Sequence, residues 1–192
     1  MRIAWFSPLP PQPSGISEYT TAIVRELIKY ADVDLWTEAE FSETCISIGR
    51  VYKYDDMNMA DIIEKLHEYN MVVYNIGNNH RFHSKMYEIL SVFPGIVILH
   101  DYVMHHFFLG YFKDIKNNMG AYLNMIGAYY GKNTRLMVQK ALESGRGLHE
   151  REEVFHYPLC EPVVLRSMGV IVHTSFIANK LKEFALCPVK VI

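Results

Sequence analysis

The amino-acid sequence predicts an α/β domain with a doubly wound, mostly parallel sheet. Two observations lead to this fold class. Short continuous apolar runs, such as residues 71–76 and 96–99, alternate with segments whose apolar residues recur at helical spacing. Continuous apolar runs are typical of strands covered on both faces, and strands that alternate with helices form parallel sheets with right-handed crossovers.

The first thirty residues contain the opening half of a βαβ unit. An apolar strand at residues 3–6 precedes a proline-rich loop that ends at Gly15, and an amphipathic helix follows. Ser14 or Ser17 can cap this helix, whose free N–H groups form an anion site. Gly15 permits a positive φ and a close approach of the backbone to a ligand. The alternative is that Gly15 serves only the turn.

The rest of the chain continues the alternation of strands and helices. Strands are predicted at residues 33–37, 51–54, 71–76, 96–99 and 169–173 and from Val189, with an irregular segment at 41–49. Helices are predicted after a cap at Asp56, from His80 to Pro94, over 157–167 and from Ser175 to Ala185. A longer helical segment is predicted over 102–147, with breaks near Gly110, Gly120, Gly127 and Gly131 and a loop at 145–147. The strand-like end at Ile192 predicts a domain of a longer protein.

Composition limits the classes of function. The length of 192 residues is that of one domain, and 50% apolar with 21% charged residues is typical of a globular protein. A formal net charge of −2 supplies no basic field, so nucleic acid is not an expected partner. Cys45, Cys160 and Cys187 show no disulfide framework or zinc spacing, which favours a cytoplasmic location. No apolar run is long enough to cross a bilayer.

Three polar clusters each follow a predicted strand. They occupy residues 7–15, residues 75–80 and the pair His100–Asp101. Because parallel strands end at the same edge of a sheet, we expect the clusters to converge there on a ligand. Asn75 and Asn78 offer donors and acceptors suited to a polyhydroxyl ligand, although a simple turn is an equal alternative.

His100 is the candidate catalytic residue, because an imidazole at a strand end can position or deprotonate a substrate hydroxyl. A metal-dependent hydrolase with His100, Asp101 and His105 as ligands is an alternative, in which Asp101 and His105 share a helix face. This set lacks a recognised ligand spacing. A structural alternative makes Asp101 a helix cap and leaves His105 and His106 packed or solvated.

An aromatic stretch between residues 107 and 130 favours a helical core. An acceptor, a lipid headgroup or another domain remains an alternative contact for it. The chain contains no Gly-x-Gly-x-x-Gly, no phosphate-binding Gly-x-x-x-x-Gly-Lys-Ser/Thr and no Gly-x-Ser-x-Gly motif. These absences argue against a nicotinamide enzyme, a P-loop enzyme and a serine hydrolase.

Five segments in order resemble the N-terminal domain of retaining GT-B glycosyltransferases, and most closely the group 1 enzymes of glycosyltransferase family 4. The segments are residues 2–8, residues 14–19 at the end of the proline-rich loop, residues 74–78, residues 99–101 with His105–His106, and residues 172–175. The resemblance spans the whole chain. It implies that residues 1–192 form a Rossmann-like, acceptor-side domain, and that the donor-binding C-terminal domain lies outside this chain.

The resemblance also implies roles for residues of the three clusters. His100 would contact the transferred sugar, and the loop near the donor diphosphate and sugar would comprise Ser14, Gly15 and Ile16. The acceptor side would comprise Glu18, Tyr19, Asn75, Asn78 and Asp101. The expected partners are a nucleotide-sugar donor, a saccharide or lipid-linked acceptor and the C-terminal domain, with no metal or cofactor. Peripheral contact with the inner face of a membrane is compatible with a lipid-linked acceptor.

The sequence departs from this family in two respects. Many relatives carry two adjacent glycines where this chain has Ser14–Gly15, and these 192 residues show no second Rossmann unit, in which relatives carry the Glu-x7-Glu motif. We therefore expect the 192 residues alone to be inactive. The rival hypothesis is a non-enzymatic module that binds a carbohydrate or a partner protein through the same sheet edge.

Overall fold

The computed structural model describes residues 1–47, 49–145 and 152–192, with no account of the side chains of Thr44, Ile46, Glu152 and Glu153. The strands are β1 (Arg2–Phe6), β2 (Asp32–Thr37), β3 (Val51–Lys53), β4 (Met71–Ile76), β5 (Ile96–Leu99), β6 (Gly169–Val172) and β7 (Val189–Val191). In the described part of the chain they form one parallel sheet in the order β3-β2-β1-β4-β5-β6-β7. This order confirms the predicted doubly wound α/β class.

Helices connect successive strands. They are α1 (Gly15–Leu27), α2 (Glu43–Ile46), α3 (Met59–Leu66), α4 (His80–Val92), α5 (His105–Gly110), α6 (Met119–Glu143), α7 (Glu161–Val164) and α8 (Ser175–Lys182), with a π-helical turn at Tyr111–Ile115 and a 3-10 turn at Glu152–His156. Within the described residues, no helix combines the length and apolar character needed to cross a membrane.

The sheet separates two apolar cores. Successive side chains of β1 point to opposite faces, so Ile3 and Trp5 pack in one core while Ala4 and Phe6 pack in the other. The smaller core includes Val24 of α1, and the larger core contains the aromatic side chains of α5 and α6. Burial on both faces explains why the strands are continuous apolar runs.

The aromatic stretch is mainly helical core, as favoured by its pattern. Phe107, Phe108 and Tyr122 are fully buried and belong to the larger core. Gly131, with φ of 84°, kinks α6. The predicted break near Gly120 corresponds to residues 116–118, between the π-helical turn and α6, whereas Gly127 lies within the helix without a break. The predicted loop at residues 145–147 falls mostly outside the described residues, since only Gly145 is described.

Some predicted element boundaries were wrong. Asn58, not Asp56, caps α3, because its side chain accepts a hydrogen bond from the Asp61 N–H at 3.0 Å. A short helix, α2, lies in the segment predicted to be irregular. The helix predicted over residues 157–167 is confined to α7, since Leu159 adopts a φ of 57° that interrupts a helix.

Asp34 of β2 connects the amino-terminal ends of neighbouring strands. Its carboxylate is only 4% exposed and forms ion pairs with Arg2 at 2.9 Å and Arg50 at 3.1 Å. The Tyr69 hydroxyl donates to the same carboxylate at 2.8 Å. Asp34 thus connects the start of β1 with the segments that precede β3 and β4, and its carboxylate is not available to a ligand.

We expect Asp34→Ala to lower the free energy of unfolding by about 2–4 kcal/mol, because three donors lose their shared acceptor. Glu68→Ala is the matched control, since this carboxylate is 59% exposed and pairs with Arg2 alone among the described residues. The Glu68→Ala substitution should lower the free energy of unfolding by less than about 1 kcal/mol. Urea denaturation of both variants measures the difference, and equal losses would contradict the central role of Asp34.

Candidate functional site

A cleft lies at the carboxyl ends of the central strands. The strand order changes direction between β1 and β4, which is the position where ligands bind in open parallel sheets. The cleft has a volume of about 340 Å³, and we call it the His100 cleft. Its lining residues are Pro13, Ser14, Gly15, Ile16, Gly77, Asn78, Asn79, Phe82, His83, His100 and Asp101. The three polar clusters that follow predicted strands therefore do converge.

The N-terminus of α1 forms one wall of the cleft. Ser14 is its cap, because the Ser14 Oγ accepts a hydrogen bond from the Ile16 N–H at 3.3 Å. The Ser17 hydroxyl instead donates to the Ser14 carbonyl at 2.6 Å. The first turn of a capped helix carries a partial positive charge and suits an anion.

Gly15 does not adopt the positive φ that the sequence permitted. Positive φ values among the described glycines occur at Gly131 and Gly145. Gly15 is the first residue of α1, and the extended Ser14 leads directly into the helix. A Cβ atom at Gly15 would meet no other atom within 4 Å, so the glycine leaves open space beside the helix N-terminus.

Asn75 lies beneath the cleft and orients His100. Its side chain is fully buried, and its Nδ2 donates to the Phe6 carbonyl at 2.9 Å. This bond directs Oδ1 towards the Nε2 of His100, 3.2 Å away. Since Oδ1 can only accept, the hydrogen-bond network assigns the His100 proton to Nε2 and leaves Nδ1 as an acceptor. Asn75 therefore reaches the cleft through His100 and does not line it.

His173 and Tyr19 complete the surroundings of His100. The Nε2 of His173 lies 3.3 Å from the Nδ1 of His100, and His173 is exposed. The Tyr19 ring makes edge contacts with His100 and His173, with centroid distances of 4.9 Å and 5.3 Å. No role was predicted for His173, although it lies at the carboxyl end of a predicted strand, as His100 does. The same strand-end criterion could have identified it.

Burial keeps His100 neutral at physiological pH. Removal from water disfavours the imidazolium and, with a smaller effect from His173, lowers the pKa of His100 to about 4. An imidazole with this pKa is a hydrogen-bonding group rather than a proton carrier near pH 7. Burial likewise raises the pKa of the Tyr19 hydroxyl.

Asp101 and His83 form the opposite wall. The Asp101 Oδ2 accepts a hydrogen bond from the Asn78 N–H at 2.9 Å, which links the loops after β4 and β5. Gly77 allows this packing, since a Cβ there would lie 3.1 Å from the His83 Nε2 and 3.2 Å from the Asp101 Oδ2. His83 is 1% exposed, and burial, then His100, lowers its pKa to about 3. Nothing in the sequence distinguished His83 from an ordinary helix residue.

The structure corrects the role of Asp101 in both alternatives, whereas it confirms that His105 is packed and His106 is exposed. Helix α5 begins at His105, so Asp101 neither caps it nor shares a helix face with His105. His105 is fully buried and its ring contacts the Tyr122 hydroxyl and the Tyr157 carbonyl, so it belongs to the core. His106 is exposed. Among the described residues, no three His, Cys, Asp or Glu side chains are placed to hold a metal ion.

Glu18 lies outside the His100 cleft. It is exposed and lines an adjoining groove formed by the proline-rich loop and the first turn of α1. Of the predicted site residues, the cleft brings together Ser14, Gly15, Ile16, Asn78, His100 and Asp101. Tyr19 and Asn75 support His100 from the side and from below, respectively.

The lowered pKa values of His83 and His100 predict a loss of stability in acid. A folded-state pKa below the unfolded value of about 6.5 means that the unfolded chain binds protons first, so stability is full above pH 6.5 and falls as the pH decreases. We expect the lowered pKa of His83 to reduce the free energy of unfolding by roughly 2 kcal/mol at pH 5 relative to pH 8. The free energy of unfolding of the wild type minus that of His83→Gln should decrease by this amount between pH 8 and pH 5. A pH-independent difference would contradict the assignment.

No family model matches the chain, and no curated protein matches its sequence. Among solved structures, the chain is similar to one described as Phytolacca americana apo UGT2, with a TM-score of 0.47 and 9% sequence identity. The alignment covers 100% of this chain and 51% of that chain, so this chain spans about half the length of that protein.

Proposed function

We propose that this chain is the acceptor-binding half of a glycosyltransferase, which moves a sugar from a nucleotide-sugar to a saccharide or lipid-linked acceptor with retention of configuration. The observation that carries the proposal is the neutral His100, fixed by Asn75 in the same cleft as the N-terminus of α1. The ordered motifs that resemble group 1 enzymes support the reaction class and the stereochemistry. The donor-binding domain would be supplied outside these 192 residues.

The N-terminus of α1 is suited to the donor diphosphate. Its backbone N–H groups and helix dipole favour an anion without requiring a metal ion. The open space at Gly15 lets a diphosphate approach the backbone closely. Ser14 and Ile16 hold the first turn in this conformation through their hydrogen bond. The nucleoside diphosphate would leave from this wall of the cleft.

His100 would act on the transferring sugar. Its Nδ1 is an acceptor whose present neighbour, His173, is exposed and can be displaced by a sugar hydroxyl. When the bond to the diphosphate breaks, positive charge develops on the sugar ring. A fixed lone pair close to that charge stabilises the transition state more than the ground state. In this role His100 is neither a nucleophile nor a general base.

The acceptor would enter from the side of Asp101 and Asn78. The Asp101 carboxylate is held by the Asn78 N–H through one oxygen, which leaves the second oxygen to accept a hydrogen bond from an acceptor hydroxyl. Glu18 lines the adjoining groove, and the Tyr19 ring contacts His100. The acceptor oxygen would then bond to the anomeric carbon as the bond to the diphosphate breaks, and the hydroxyl proton would pass to the departing diphosphate oxygen.

We expect His100→Ala, introduced into the protein expressed from its full reading frame, to reduce turnover of the preferred donor about 100-fold. Release of nucleoside diphosphate from UDP-glucose, UDP-N-acetylglucosamine and GDP-mannose identifies the donor and measures the rate. His106→Ala is the matched control, because His106 is exposed and does not line the cleft.

Full turnover in His100→Ala would contradict the proposed role of this residue. A full-length protein that binds saccharides but releases no diphosphate from any nucleotide-sugar would instead indicate the non-enzymatic binding module. Thermal unfolding of both variants shows whether a loss of turnover is a loss of fold.

A further inference from the structure

A second cleft lies at the same edge of the sheet, on the other side of the proline-rich loop. It has a volume of about 420 Å³, and we call it the Glu38 cleft. Its walls come from Gln12 of the proline-rich loop and from residues at or just after the ends of β2, β3 and β4, whereas the His100 cleft is built from the segments after β1, β4 and β5. Its lining residues are Gln12, Glu38, Ala39, Glu40, Lys53, Asp55, Arg81 and Phe82.

Glu38 is the unusual group in this cleft. Its Oε2 is buried and has no hydrogen-bond partner among the described residues. A buried carboxyl oxygen without a donor is costly, and a ligand that supplies a donor removes this cost. Burial, followed by the charge of Asp55, raises the pKa of Glu38 to about 7. The group is therefore partly uncharged at neutral pH.

Lys85 and Lys53 supply no hydrogen bond to the Glu38 Oε2, because their ammonium groups are engaged elsewhere. The charge of Lys85 lowers the pKa of Glu38, but burial and Asp55 raise it by more. The Lys85 ammonium donates to the carbonyls of Tyr54 at 2.7 Å, Asp55 at 2.5 Å and Met57 at 3.3 Å, which uses its three protons. Lys53 pairs with Glu40 at 2.6 Å. A ligand can therefore supply the hydrogen-bond donor that the Glu38 Oε2 lacks.

The composition of the Glu38 cleft suits a neutral, hydroxyl-rich ligand. Three acidic and two basic side chains line it, so neither sign of charge dominates and a free anion or cation is not favoured. The guanidinium of Arg81 offers donors beside the acceptors Glu38 and Asp55. Hydroxyl groups both donate and accept, and they match such a mixed set.

The two clefts adjoin at Phe82. This partly buried side chain, in the first turn of α4, lines both of them. Gln12 and Pro13 are consecutive residues that line the Glu38 cleft and the His100 cleft, respectively. An aromatic ring between two polar clefts gives the apolar face of a sugar ring a surface on which to pack.

We propose that the Glu38 cleft is a second saccharide subsite, which holds the neutral sugar residue next to the residue that binds in the His100 cleft. The acceptor is then a disaccharide or a longer chain that crosses Phe82. A hydroxyl of the second residue donates to Glu38, and Arg81 donates to its other oxygens. This inference rests on the proposed function, because it extends the acceptor from the reacting centre.

The test measures saccharide binding to the purified chain by saturation-transfer NMR. The probes are methyl glycosides of glucose, mannose, galactose and N-acetylglucosamine, together with their β- and α-linked disaccharides. The preferred disaccharide should bind about tenfold more tightly than its monosaccharide, which corresponds to about 1.4 kcal/mol. Glu38→Gln and Phe82→Ala should each remove most of this difference without changing the affinity for the monosaccharide.

Controls separate this inference from the proposed function. Glu26→Gln is the matched control, since this carboxylate is 71% exposed on α1 and lies outside both clefts. Asp101→Asn should weaken both probes, because this carboxylate lies on the acceptor side of the His100 cleft. Equal affinity for monosaccharide and disaccharide, or a difference that survives Glu38→Gln, overturns the second subsite but leaves the proposed function standing. Binding that is lost in Glu38→Gln and unchanged in Asp101→Asn contradicts the proposed acceptor side of the His100 cleft instead, and binding of no saccharide overturns both.

Discussion

The side-chain amide of Asn75 is the contact on which the candidate site depends. Asn75 is fully buried near the end of β4. Its amide donates a hydrogen bond to the carbonyl of Phe6, the last residue of β1, and accepts one from His100, directly after β5. An amide can do this only because its two ends differ in hydrogen-bonding character. One side chain therefore fixes the spacing of three strand ends, the orientation of an imidazole and the nitrogen that carries its proton.

The sheet separates residues that maintain the fold from residues that face the clefts. Asp34 and its partners Arg2, Arg50 and Tyr69 connect the amino-terminal half of the first strands. The buried polar atoms without a hydrogen-bond partner among the described residues, by contrast, include the His83 Nδ1 and the Glu38 Oε2 near the carboxyl edge. In a parallel sheet these two edges are structurally independent, so the cleft loops can change in sequence without loss of the strand register.

The strands and the convergence of polar clusters were predictable from the sequence, whereas the tertiary contacts of the site were not. A continuous run such as residues 71–76 has few alternatives to a buried strand, and the strand-end position of His100 follows from the next such run. The buried position of Asn75 depends on its hydrogen bond to the Phe6 carbonyl, 69 residues earlier in the chain, and no local sequence pattern indicates that contact.

Local rules also failed where two residues compete for one role. Asp56 and Asn58 are both good helix caps, and only the backbone path from β3 decides in favour of Asn58. Gly15 and Ser14 compete similarly at the start of α1, where the cap conformation of Ser14 removes the need for a left-handed glycine. His83 was missed because its significance arises only when Gly77 and Asp101 are packed against it.

The contact of Lys85 with three carbonyl oxygens has a consequence for how the loop after β3 keeps its shape. Three carbonyls around one positive charge resemble the coordination sphere of a bound cation, but here the cation is covalently tethered to α4. The loop therefore needs no ion from solution, and chelators would not loosen it. Neutralising the amine by acylation would, in contrast, act on this loop as metal removal acts on a calcium-binding loop.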